Sequence, residues 1–146
     1  MKRNWWFAVA LGALVLLAAT TAGAQTVVTR PWTMAAESQQ VIRLSDGALS
    51  AHAWGQASHF GTFTSEGTGR LGNPFSQGTM TAANGDLVYF EGGVNGVYTV
   101  TGGTGRFAGA TGTFVVTPLT IGNPVPHPDG TVTIDLTWTA VGTITY

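Results

Sequence analysis

Three imidazoles, His52, His59 and His127, and a few carboxylates are the side chains of this 146-residue chain best suited to acid–base work. A general base needs an orienting partner and a proton within hydrogen-bond reach. His59, in His59-Phe60-Gly61-Thr62, has no recognisable partner nearby in sequence, so a structural histidine is the plainer reading and a general base the sharper one. A regular strand places His52 and His59 on opposite faces, unless a bulge near Gly55 intervenes. The imidazoles are not accompanied by clustered carboxylates, and cysteine is absent; no metal site is expected. Glu66, Asp86, Glu91 and Asp135 would hydrolyse a glycoside only as a pair at a set separation, which sequence does not define. No G-x-S-x-G nucleophile elbow occurs.

Gly103-Thr104-Gly105 lacks the full dinucleotide-binding spacing and a following helix, and reads as a structural turn. Arg106 within it is expected to bond local carbonyls or an acid; a ligand anion at a barrel mouth is the alternative.

The N-terminus reads as a secretory signal. Lys2 and Arg3 precede the apolar run Trp5–Ala19, and Ala22-Gly23-Ala24 supplies small residues for cleavage before Gln25. The run is shorter than the roughly 20 residues of a spanning helix. Residues 25–146 then hold no lysine, and four arginines against seven acids leave a formal charge of −3. That balance argues against nucleic acid, and lysine's absence excludes a Schiff base or a Walker-type loop. An exported domain without disulfides must rest on its core and backbone pairing. The periplasm or the outside of a bacterial cell is the expected location, and no cofactor is expected.

Gly and Thr dominate the remainder, which suits strands and tight turns. Val132, Ile134, Leu136, Trp138, Ala140, Ile144 and Tyr146 alternate with Thr133, Asp135, Thr137, Thr139, Thr143 and Thr145. This predicts a long, half-buried, curved strand in which Gly142 marks a bend or a close backbone approach. Further strands are predicted at 26–33, 40–44, 49–57, 61–67, 78–83, 86–91, 96–101 and 111–118, with a helical turn over Met34–Gln40. Asn84-Gly85 and Asn95-Gly96 predict hairpins of the type I′ kind, Pro31 a bulged or partly unpaired first strand, and Ile121–Gly130 the longest loop. The fold class is therefore all-β: a small closed antiparallel barrel of about eight strands, preceded by an N-terminal signal peptide helix. The domains are 1–24, signal peptide, and 25–146, one barrel.

Thr101–Phe114, TGGTGRFAGATGTF, resembles a motif of the allene oxide cyclase and dirigent barrels, and more closely that of exported bacterial proteins with the same expected fold. His59–Thr64, Ala83–Asp86 and the ending Val141–Tyr146 match the bacterial pattern in order. The resemblance implies an eight-stranded calycin-like barrel with an apolar interior, often trimeric in the plant members. It implies no catalytic residue for this chain.

The leading functional expectation is a barrel that binds a small hydrophobic ligand or serves as a structural or interaction module. Its alternative is a cyclase or isomerase that steers a reactive substrate by shape, without metal or nucleotide. Candidate ligand-binding residues are His59, Glu66, Arg106, Trp54 and Tyr98; a buried His59 or Glu66 facing a cavity would favour the cyclase. The interior is expected either to be filled by its aromatics or to hold one small ligand. A homo-oligomer, dimer or trimer, is compatible with this plan. An outer-membrane barrel fits the aromatic C-terminus, but Gly61–Gly67 and Gly78–Ala83 are too short and polar for a lipid-facing band, so no stable insertion after signal cleavage is expected.

Overall fold

The computed structural model describes residues 26–146; the expected signal segment lies outside them. β1 (Thr29–Arg43), β2 (Ala48–Ala57), β3 (Gly61–Arg70), β4 (Asn73–Ala82), β5 (Leu87–Val94), β6 (Val97–Gly103), β7 (Thr111–Ile121), β8 (Val125–Pro126) and β9 (Thr131–Thr145) form one antiparallel sheet. Seven follow in order from β1 to β7; β9 pairs with β7 on one side and with β1 on the other, closing an eight-stranded barrel. β8 pairs only with Val132 and Thr133 of β9, as a short extension beside β7.

The seam between β1 and β9 runs unbroken from Thr29↔Thr145 to Arg43↔Thr131. Inward Trp32, Met34, Ala36, Ser38 and Ile42 alternate with exposed neighbours along β1. The helical turn expected over Met34–Gln40 is thus replaced by strand. Its Ala, Glu and Gln residues favour helix locally, but backbone pairing with both β2 and β9 outweighs that preference. Pro31 causes no bulge against β9; it lies in the part of β1 before pairing with β2 begins at Met34, where a missing N–H costs no ladder bond.

Of the two expected type I′ hairpins one is found. Asn95 (φ 54°) and Gly96 (φ 75°) form a two-residue loop between paired Val94 and Val97. At Asn84-Gly85 only Gly85 has positive φ (86°), and Ala82 N–H donates to the Asp86 carbonyl across three residues. This is a type I turn with a glycine bulge, which also suits the sheet twist.

Gly142 is where β9 meets β7: a Cβ there would collide with the Thr113 carbonyl and the Phe114 Cα, so the close approach foreseen at this glycine is present. Inward side chains fill one half of the barrel. Trp32, Phe60, Phe107, Phe114, Val88, Val100 and Ile144 are buried together. Trp32 packs on Phe60 at 4.9 Å and edge-on to Phe114 at 5.2 Å, and Phe107 on Phe60 at 4.6 Å. Burial stabilises by about 1.5–3 kcal/mol per large side chain, so this aromatic plug is the main anchor of the fold.

Candidate functional site

The other half of the barrel is a cavity of about 410 Å³. Its size falls within the usual range of small-molecule sites. It exists because the inward positions there are small: Ser38, Ala51, Ala53, Ser65 and Gly67 on β1, β2 and β3. Facing them are Phe90, Tyr98, Phe114, Val116, Leu136 and Trp138, with Met80 toward the plug. The aromatic wall is ordered. Tyr98 stacks on Phe114 (5.2 Å, 11°), and Phe90 stands edge-on to Tyr98 at 5.6 Å.

Among the described residues no charged side chain lines this space. Its polar groups are hydroxyls and amides: Ser76 Oγ lies 3.4 Å from the Tyr98 hydroxyl and 3.3 Å from the Gly92 carbonyl. Trp138 Nε1–H donates to Ser38 Oγ at 3.2 Å, which satisfies the indole and turns its ring along the wall. Ser38 and Ser65 are buried, and Gln40, Thr68 and Asn95 stand nearer the open end. An ion buried against this wall would find no counter-charge among these residues to offset its desolvation.

Of the five candidate ligand-binding residues, only Tyr98 lines the cavity. Trp54 is 42% exposed on the outer wall, beside His52 at 5.5 Å. Glu66 is also outside, its carboxylate oxygen accepting a hydrogen bond from His52 Nδ1 at 2.6 Å. His59 lies in the β2–β3 turn rather than on a strand, exposed, with φ of 70°. Its Nε2 is 3.0 Å from the Pro31 carbonyl. Arg106 is exposed at the filled end, its guanidinium 4.6 Å above the Phe107 ring, and so stacks on an aromatic face instead of pairing with an acid. The structure therefore does not bring these five together. Neither His59 nor Glu66 meets the condition on which the cyclase reading was set, that of facing a cavity from a buried position.

Sequence reading missed Ser38, Gln40 and Leu49 as lining residues. The signal for Ser38 and Gln40 was the period-two pattern Trp32, Met34, Ala36, Ser38, Gln40, Ile42, which the helix-favouring composition obscured.

The segments carrying the family resemblance gather at the filled end. Asp86 accepts from the Arg106 N–H at 3.1 Å, Ala83 N–H donates to the Phe60 carbonyl at 3.1 Å, and Tyr146 packs against Phe107 at 4.8 Å. They build the plug, and of them only Phe114 also reaches the cavity. Charge at the open end is local: Arg43 donates twice to Asp46 at 2.9 Å. That bond, with the Ala48 N–H, holds the Asp46 carboxyl at about 2. Among the described residues no cluster of three or more potential metal-ligating side chains occurs.

No protein-family model, no curated protein and no solved structure matches this chain.

Proposed function

We propose that this chain is an exported binding barrel that holds one small, uncharged, largely apolar molecule in the open half of its interior. The observation that carries the reading is the 410 Å³ cavity, bounded by a stacked aromatic wall and lined, among the described residues, by no charged side chain. Binding takes precedence over catalysis because the lining offers hydroxyls, amides and one phenol but no carboxylate or imidazole to move a proton. Export is supported by the signal-like N-terminus, and an uninserted barrel by the exposed carboxylates Glu37, Glu66, Glu91 and Asp135 on the wall. The proposed kinship with allene oxide cyclase and dirigent barrels is supported by the shared closed eight-stranded plan and by the meeting of the four matching segments in one plug.

Native mass spectrometry of protein recovered from the exported fraction without detergent tests this reading. A retained small molecule, displaced on substituting Tyr98 or Trp138, is the expected result, and the same spectrum reports monomer, dimer or trimer. Apo protein that also fails to take up a neutral fluorescent apolar probe would overturn it.

A further inference from the structure

Exposed aliphatic side chains crowd the end at which the cavity opens. Leu44 follows β1, Leu71 lies in the β3–β4 turn, and Val94 immediately precedes the β5–β6 turn. Leu119 and Ile121 end β7, and Val125 begins β8. All six are between 52% and 67% exposed. They come from four separate connections, so their shared location follows from the closed topology and not from one apolar stretch. Scattered single apolar residues need no explanation, but a set gathered at one end marks a contact surface.

Charge narrows the partner. At this end Arg43 and Arg70 balance Asp46 and Asp129, and Arg43 is bonded to Asp46. The wall carries exposed Glu37, Glu66, Glu91 and Asp135, while the other two arginines of the described residues, Arg30 and Arg106, stand at the filled end. The open end therefore combines exposed aliphatic side chains with no net charge, while the sides repel anionic surfaces. The apolar residues of a protein–protein interface cluster at its centre within a polar rim. Here the exposed aliphatic side chains come from four connections around the end where the cavity opens, an arrangement that a fluid surface can surround.

We propose that the open end docks on a lipid bilayer, its aliphatic side chains dipping into the interface and the cavity facing the acyl chains. An apolar ligand then passes between membrane and barrel without crossing bulk water. With no basic cluster at the contact, binding is driven by apolar area and not by anionic headgroups. The proposal rests on the reading of the cavity as a ligand site and adds where that ligand is exchanged.

The test is flotation with phosphatidylcholine vesicles, using protein expressed from the full-length chain and recovered from the exported fraction. Wild type should float with the vesicles. L44E/L119E/I121E should lower the bound fraction at least tenfold, and Ile121→Glu alone should lower it measurably. V27E/V141E introduces charges at equally exposed positions away from the mouth and should stay within twofold of wild type. Each variant is also titrated with N-phenyl-1-naphthylamine, a neutral probe for the cavity, which shows that the barrel is intact. Probe binding without flotation by wild type overturns the docking proposal and leaves the ligand reading standing. Flotation undiminished in the triple variant, with its probe binding intact, also overturns it. Loss of both signals in wild type overturns the ligand reading as well.

Discussion

Asp86 Oδ2 accepts a hydrogen bond from the backbone N–H of Arg106 at 3.1 Å, tying the β4–β5 hairpin to the 3-10 turn at Gly105–Phe107. The same carboxylate receives the Asn84 side-chain amide at 2.8 Å. Gly105 lets it approach: with φ of 55°, a Cβ there would collide with the carboxylate. Phe107 is thereby held in the plug, fully buried.

Asp86→Ala should cost about 0.5–1.5 kcal/mol, the net worth of an exposed hydrogen bond, because it removes the acceptor of the Arg106 N–H and loosens the corner above Phe107. Gly105→Ala should cost at least as much, through both collision and left-handed backbone. Urea unfolding with an unchanged m-value is the check. A loss below about 0.3 kcal/mol in both would mean that the corner stands without this bond.

Filling the open half should abolish ligand uptake without unfolding the barrel. Ala51 lines the cavity and is only partly buried, so Ala51→Phe has room to place its ring inside. Probe affinity should fall more than tenfold while the thermal midpoint stays within a few degrees. Unchanged affinity would place the probe elsewhere.

Tyr98→Ala should weaken probe binding at least fivefold by removing the ring stacked on Phe114. Trp54→Ala and Glu66→Gln act on the outer wall and should leave it within twofold. A reversal of this order, measured by fluorescence titration, would move the binding site from the interior to the wall.

Acid should remove a small stabilising contribution at the open end. The Arg43 hydrogen bond holds the Asp46 carboxyl at about 2, below its ordinary value of 3.8. The bonds from Thr131 lower Asp129 likewise. A folded-state value below the unfolded one means stability that is present above pH 3.8 and lost as pH falls toward 2. Asp46→Asn and Asp129→Asn should therefore flatten the acid limb of a stability–pH curve and leave its slope above pH 5 unchanged. Both groups are exposed, so the effect is modest. An identical acid limb in the double variant would refute the assignment.

Gly142→Ala should destabilise more than a typical surface change, by about 2 kcal/mol or more, since the added methyl meets the Thr113 carbonyl across the β7–β9 seam. Amide exchange should rise first in β7 and β9. Uniform exchange across the sheet would indicate that the seam absorbs the methyl.

Composition and period-two alternation made the all-β barrel legible, because inward and outward positions of a curved strand differ in polarity and the last strand carried that difference over most of its length. The glycine-rich corner and both hairpins were also legible, since positive φ restricts which residues can occupy them. Which half of the barrel is filled was not. That depends on register: pairing places Ser38, Ala53 and Ser65 level with one another, and Trp32, Gly142 and Phe114 level toward the far end. Side-chain size at one level of a closed sheet is a sum over eight strands, and no single strand contains it. The same holds for the exposed aliphatics at the mouth, which lie far apart in the chain and meet only because β9 returns to pair with β1. Local sequence determined the turns and most strands, while pairing on both sides imposed strand on Met34–Gln40; closure of the sheet decided where the interior stays open.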